Sequence, residues 1–250
     1  MKPAEAGVEA YLGFLRSLRD TGDGYFLEGG QAVNFWAEYV DARVQSRPLS
    51  PMRPFTSKDC DIWVSSRTWE SLKRNPAVRK GSSPADGQLG ILVLSKQPPR
   101  VVDILSSVFG IDARDYPRLM QRALDDGTVR VIDPIHLFLS KCHCYLHLSQ
   151  ADRQDERHIH MMALILPEYL LLLIADAEMG FISDRDLLKE IKLLGKLTSS
   201  GPCRRAMHSL GINPCSIIPW DRLAVSGSEL LQKYVRNARP KDTANESQDR

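Results

Sequence analysis

The sequence has little of what marks secreted, membrane-spanning or nucleic-acid-binding proteins. Its five cysteines are odd in number and show no framework spacing, so they predict reduced thiols and a cytoplasmic setting. No apolar signal core follows Met1, and the longest apolar run, 161–175, is broken by Pro167 and Glu168. We therefore expect no membrane partner and interpret that run as a buried helix. A formal net charge of +2 provides no global basic field for nucleic acid.

What is present is an ordinary globular composition arranged in two halves. Apolar residues make up 43% and charged residues 26% of the 250 residues, enough for one large domain or two small ones. Residues 1–132 mix short apolar strands with helices, whereas residues 133–240 have helical spacing. Residues 241–250 are polar and predict a disordered tail. The sequence thus predicts an α+β protein with a helical C-terminal half.

Two aspartates separated by a single residue lie in the segment 56–64, which has the pattern of a short strand. Residues two apart in a strand point to the same side and lie roughly 7 Å apart, so Asp59 and Asp61 share a face. Cys60 and Ile62 then point to the opposite, apolar side. Two carboxylates this close repel unless a cation lies between them, and hard oxygen ligands suit magnesium. The plainer alternative is a solvated strand edge.

Two further features would complete a site for a phosphorylated ligand. The glycines Gly29 and Gly30 stand between an apolar strand at 25–27 and a helix, where free backbone N–H groups would bind an anion. Asp103 lies inside the apolar strand 100–105, where a carboxylate is costly to bury without a partner. The plainer alternatives are a simple turn at the glycines and an aspartate bonded to backbone N–H groups.

These features, in this order, resemble the nucleotidyltransferase superfamily of the polymerase-beta type, and most closely its bacterial abortive-infection toxin branch. The matching segments are 26–30, 58–64, 100–105 and, more weakly, 133–141. The resemblance implies an α+β fold in which a small mixed β-sheet is flanked by helices and followed by a helical C-terminal half. It also implies that Mg²⁺, or Mn²⁺, is the cofactor.

The resemblance assigns a role to each matching residue. Asp59 and Asp61 would hold metal ions that bridge the triphosphate, and Asp103 would bind the second metal and take the proton from the attacking hydroxyl. The remaining residues would bind the nucleotide, through backbone N–H groups or polar side chains, and they are Gly29, Gly30, Gln31, Lys58 and Lys141. Gln31 stands where many active members have Ser or Thr, and Lys141 would be a counter-charge for the triphosphate.

The implied reaction moves a nucleoside monophosphate from a nucleoside triphosphate to a hydroxyl and releases pyrophosphate. The acceptor would be an RNA such as a tRNA end, a protein or a small molecule, and a toxin role would imply an antitoxin partner. The alternative is a catalytically inactive module with this fold that docks a partner protein, and a hydrolytic nuclease is a third hypothesis. The position of Asp103 discriminates between an enzyme and a binding module. A metal site requires its carboxylate to converge with those of Asp59 and Asp61 within about 5 Å, whereas a side chain in the core on the far side of the sheet would deprive the enzyme of its base.

The histidines allow a separate hypothesis. His143 and His147 are four residues apart on a predicted helix, and His158 and His160 follow, so the spacing would seat zinc. No Glu or Cys completes a tetrahedral set at a diagnostic distance, which favours histidines that serve packing or lie on the surface.

Overall fold

The computed structural model describes residues 5–20, 24–44, 48–82 and 87–240. The predicted tail, 241–250, lies outside the described residues. The described residues contain seven strands in one sheet, namely β1 Tyr25–Glu28, β2 Cys60–Val64, β3 Val78–Lys80, β4 Gln88–Lys96, β5 Pro99–Leu105, β6 Leu124–Asp125 and β7 Arg130–Val131.

The sheet is mixed, with the strand order β3-β4-β5-β2-β1-β7-β6. Strand β2 at its centre pairs antiparallel with β1 and parallel with β5, and β1 also pairs parallel with β7. The outer pairs β3–β4, β4–β5 and β6–β7 are antiparallel. Two strands that the sequence did not predict, β3 and β6, lie at the two edges of the sheet, where short paired segments carry little hydrophobic signal.

The central strands are fixed by apolar side chains. All four residues of β1 are buried, and in β2 every residue except Asp61 is buried. Phe26 of β1 stacks on Trp63 of β2, with ring centroids 4.9 Å apart, and the indole N–H of Trp63 donates to the Ser106 carbonyl. Burying such aromatic pairs on neighbouring strands sets the register that also aligns the polar residues.

Ten α-helices surround and follow the sheet in the described residues. They are α1 Leu12–Asp20, α2 Gly29–Asp41, α3 Ser66–Leu72, α4 Tyr116–Arg122, α5 Pro134–His147, α6 Asp155–Glu178, α7 Asp184–Thr198, α8 Gly201–Ser209, α9 Trp220–Ala224 and α10 Glu229–Ala238. The Asp133 side chain caps α5 by accepting from the His136 backbone N–H, and Pro134 occupies the first turn. The predicted class, a small mixed sheet with helices and a helical C-terminal half, is confirmed.

Helix α6 is the one helix of the described residues that is long and apolar enough to cross a membrane by length and composition. It packs against α2, α5 and α7, and its buried side chains include Ile159, Ile165 and Leu170. The ring of Tyr169 lies 5.5 Å from that of Trp36 on α2. These are the contacts of a core helix, which agrees with the interpretation of residues 161–175 as buried.

One hydrophobic core extends through both halves of the chain. Arg122, at the end of α4, also joins the two halves, because it donates to Asp133 before α5 and to Glu190 of α7. The sheet ends at Val131 and α5 begins at Pro134, so the change from strands to helices falls where the sequence indicated. The division into two domains at residue 132 stays a prediction.

Candidate functional site

Three carboxylates lie side by side across the central strands. In the pairing of the strands, Glu28 of β1 is opposite Asp61 of β2, and Asp61 is opposite Asp103 of β5. Residues in register on adjacent strands point to the same face of the sheet, and such strands are roughly 4.8 Å apart. Asp103 therefore stands beside Asp61, as the enzyme hypothesis requires, and Glu28 extends the row on the other side.

Asp59 lies just before β2 rather than within it, which differs from the predicted strand, but it still reaches the same site. Desolvation, followed by the charges of Asp59, Asp103 and Glu28, holds the pKa of Asp61 well above its usual range. Burial and the charge of Asp59 raise the pKa of Asp103 to about 6. The hydrogen bond that Gln88 Nε2 donates to Asp103 Oδ1, at 3.0 Å, acts in the opposite direction and lowers this pKa. The carboxylates thus repel one another, and a cation between them would relieve this repulsion.

Glu28 is the residue of this group that the sequence analysis missed. Only 4% of the residue is exposed, and its Oε1 is buried without a hydrogen-bond partner. Burial raises the pKa of Glu28 to about 8, although the charge of Lys141 lowers it. Its place beside Asp61 follows from the pairing of β1 with β2, which no local pattern reveals; its position directly before the glycines is the only sequence signal.

The two glycines bring the backbone close to these carboxylates. Gly29 has a φ of +67°, and a Cβ there would collide with the Asp61 carboxylate. A Cβ at Gly30 would collide with Ser57 Oγ and would lie 2.9 Å from His158 Cε1. Because neither glycine carries a side chain, the start of α2 can lie directly against Asp61. The N-terminus of a 13-residue helix at this point offers N–H groups to an anion.

A cavity of about 510 Å³ opens between the sheet and helices α5 and α6. Seven of the eight predicted site residues line it, namely Gly29, Gly30, Lys58, Asp59, Asp61, Asp103 and Lys141. The volume lies in the range of roughly 300–1,000 Å³ found for small-molecule sites. These seven residues therefore share one concave site, although the first and the last of them, Gly29 and Lys141, are 112 positions apart in the sequence.

Gln31 is the exception. Its side chain is fully buried, and Nε2 donates to the Ala6 carbonyl at 2.9 Å and to the Ser57 carbonyl at 3.5 Å. The predicted contact between this amide and a phosphate is not supported by its position. Gln31 instead ties helix α2 to the N-terminal segment, where Ala6 and Ser57 form an isolated β-bridge.

The two lysines of the cavity are already engaged with acidic partners. The Lys141 ammonium, 5% exposed as a residue, lies 3.2 Å from Asp155 Oδ1, and Arg153 donates to the other oxygen of Asp155. Burial opposes the charged form of Lys141, but neighbouring Cys144, Asp155 and Asp61 raise its pKa. Lys58 spans the cavity to donate to the Asp152 carbonyl at 2.8 Å. Lys141 therefore stays positively charged beside the carboxylate row.

The carboxylate oxygens of the site are the right kind of ligand for a hard divalent cation, but their positions do not yet form a coordination shell. Carboxylate oxygens are the ligands that Mg²⁺ and Mn²⁺ prefer, and the unpartnered Glu28 Oε1 adds a buried negative group to the row. As the side chains stand, however, no group of three or more His, Cys, Asp or Glu residues in the described parts of the chain converges closely enough to hold a metal. A cation would be held by Asp59, Asp61 and Asp103 after their side chains turned towards it.

The histidines do not form a zinc site in the described parts of the chain. His143 and His147 lie with their rings 5.8 Å apart on α5, and their packing agrees with the surface interpretation. His158 is different: it is 3% exposed, lines the cavity and has no hydrogen-bond partner at either ring nitrogen. Desolvation, then the charge of Lys141, holds its pKa well below the usual range, so the ring is neutral.

Comparisons with known proteins give limited guidance. No protein-family model matches the chain, and no curated protein matches it in sequence. Among solved structures, the chain is similar to an antigenic nucleotidyltransferase-like protein from Paracoccidioides brasiliensis, with 16% identity and a TM-score of 0.39. The match covers 83% of this chain and 94% of that chain. Because so distant a likeness says nothing about activity, the function must be inferred from the cavity itself.

Proposed function

We propose that the cavity is the active site of a magnesium-dependent nucleotidyltransferase. The observation that carries the proposal is the register of the sheet, which sets Asp103 directly beside Asp61, with Asp59 two positions away and the glycine turn against them. Paired carboxylates beside a helix N-terminus form a site for a metal-bound phosphate. The nucleotidyltransferase resemblance of the sequence predicts the same residues in the same roles.

Each charged group of the site would have a separate role in the transfer reaction. Bound Mg²⁺ would neutralise the charge that develops on the phosphate oxygens. Asp103, which lies beside Asp61 on the same face of the sheet, would take the proton of the acceptor hydroxyl. The acceptor oxygen forms a bond to the α-phosphorus, the bond from that phosphorus to the β-phosphate oxygen breaks, and pyrophosphate leaves. Lys58 and Lys141 provide positive charge for the triphosphate, and the Gly29 and Gly30 turn leaves room for it.

The acceptor class is the open part of the proposal. RNA, protein and small-molecule hydroxyls all suit the chemistry, and a toxin role with an antitoxin partner follows from the sequence resemblance alone. Incubation of the full chain with labelled nucleoside triphosphates, Mg²⁺ or Mn²⁺ and a cell extract would identify the fraction that becomes labelled. Release of pyrophosphate, rather than strand cleavage, separates a transferase from a nuclease.

The catalytic variants make this test specific. We expect Asp103→Asn to reduce label transfer by about 10²–10⁴-fold, the usual contribution of a positioned base, and to leave nucleotide binding measurable. We expect Asp61→Asn to weaken binding of the magnesium–nucleotide complex in calorimetry. Asp112→Asn is the matched control, because Asp112 lies outside the cavity and pairs with Arg114. Equal label transfer by the wild type, Asp103→Asn, Asp61→Asn and Asp112→Asn would refute the proposal.

A second function, a catalytically inactive module that docks a partner protein, is favoured by two observations. Lys141 is already paired with Asp155, and the carboxylates of the described residues do not converge as a finished metal site. On this alternative, the wild-type protein would bind no nucleoside triphosphate in the presence of Mg²⁺ or Mn²⁺. Calorimetry on the full chain distinguishes the two functions before any acceptor is known.

A further inference from the structure

Two chemically different groups of residues line the cavity. One group is polar and contains the glycine turn, the carboxylate row and the two lysines. The other group is apolar and consists of Leu105, Phe109 and Leu148. A ligand that contacts both groups would carry a polyanionic part and a flat or apolar part, which describes a nucleoside triphosphate better than a bare phosphate.

Phe109 stands out among these apolar residues. It is 40% exposed, and of the exposed large hydrophobic residues in the described parts of the chain it is the one that lines this cavity. Part of its apolar ring therefore stays in contact with water, and such a ring on a cavity wall is available to a ligand.

The backbone around Phe109 is held in place on both sides. The buried Val108 donates its N–H to the Tyr116 hydroxyl at 2.9 Å, and Ile111 donates to the Val108 carbonyl at 3.1 Å. Gly110 has a φ of +79°, and a Cβ there would collide with the His143 ring. The Phe109 ring itself packs edge to face on His143, with centroids 6.5 Å apart at 77°. The exposure of Phe109 thus belongs to a fixed loop conformation.

We propose that Phe109 is the stacking surface for the base of a nucleoside triphosphate whose phosphates lie against the Gly29 and Gly30 turn of the same cavity. The inference rests on the proposed function and adds to it the residue that recognises the base. Every base has a π face, so stacking of this kind tolerates different bases and favours the larger purines.

The test separates the base from the phosphates by using two probes, ATP and inorganic tripolyphosphate, each with Mg²⁺ and each titrated into the full chain by calorimetry. We expect Phe109→Ala to weaken ATP binding by roughly 10- to 100-fold, the usual effect of removing a stacked aromatic ring. Binding of tripolyphosphate should stay unchanged, because it has no base. Phe109→Trp should retain or strengthen ATP binding.

Leu164→Ala is the matched control, since Leu164 is 37% exposed and lies outside the cavity. Equal weakening of both probes by Phe109→Ala, or no weakening of ATP, would overturn the inference while leaving the proposed function intact. Failure of the wild-type chain to bind either probe would overturn both. Unchanged thermal melting of Phe109→Ala would confirm that the affinity change is local, as the exposure of the ring leads us to expect.

Discussion

Glu28 is a buried carboxylate without a hydrogen-bond partner at Oε1, and its titration should be visible in the stability of the protein. Its pKa in the folded chain is about 8, against 4.5 for an ordinary glutamate. The folded state therefore binds more protons than the unfolded state between these values, so stability is full below about pH 4.5 and falls as the pH rises through 8. The loss at high pH amounts to roughly 5 kcal/mol at most.

We expect Glu28→Gln to remove this loss, because the amide fills the same space without a charge. The measurement is the free energy of unfolding by urea from pH 5 to pH 9, with a chelator present to remove divalent cations. Glu156→Gln, at an exposed position of α6, is the control. Stability curves of Glu28→Gln and wild type that run parallel across this range would contradict the assignment of a buried carboxyl to Glu28.

At the scale of the elements, the connection of β1 to α2 depends on a backbone conformation that favours glycine. Gly29 and Gly127 both have a positive φ, +67° and +89°, but only Gly29 faces a side chain at the place where a Cβ would stand. An alanine with positive φ costs about 1–2 kcal/mol, which both positions would incur. Gly29→Ala must in addition displace the Asp61 carboxylate.

We therefore expect Gly29→Ala to destabilise the protein by clearly more than Gly127→Ala, with an excess of about 1 kcal/mol or more from overpacking. Urea unfolding of the two variants gives this difference. Gly29→Ala should also weaken binding of the magnesium–ATP complex, whereas Gly127→Ala should not, since Gly127 lies outside the cavity. Equal destabilisation by the two alanines would mean that the Asp61 side chain moves aside without cost.

At the scale of the whole molecule, Arg122 joins the sheet half to the helical half. Its side chain is 15% exposed and binds Asp133, which is 2% exposed, and Glu190, which is 19% exposed. Burial would raise the pKa of Asp133, but His136 and Arg122 together lower it to about 2. Removal of a shared partner from such a group leaves buried charge uncompensated, at a cost of about 3–5 kcal/mol.

We expect Arg122→Ala to lower the free energy of unfolding by about this amount. The control is Arg114→Ala, which removes an exposed pair with Asp112 and should leave the free energy of unfolding almost unchanged. Because one core spans both halves, unfolding of the Arg122 variant should remain a single transition when followed by fluorescence and circular dichroism. Two separate transitions would instead support independent domains on either side of residue 132.

The sequence was informative wherever a residue's surroundings depend on its own neighbours in the chain. The strand that contains Asp61 is a local pattern and was predicted, although it begins at Cys60 and leaves Asp59 just before it. Glu28 could not be found in this way, because its place beside Asp61 depends on which strand β1 joins and in what register. Gln31 was misplaced for a similar reason: the carbonyls that hold its amide belong to Ala6 and Ser57, far from it in sequence.

The composition of the cavity wall has a consequence for the order in which ligands arrive. Six carboxyl groups line it, from Glu28, Asp59, Asp61, Asp103, Asp152 and Asp155, against the cationic side chains of Lys58, Lys141 and Arg153. A polyphosphate without its counterion would be repelled by those carboxyl groups that are ionised, and the proximity of the groups has already raised the pKa of Asp61 and Asp103. On the proposed function, this repulsion favours entry of the polyanion together with its divalent cation, or after it, so the concentration of the free cation would affect occupancy as well as that of the nucleotide.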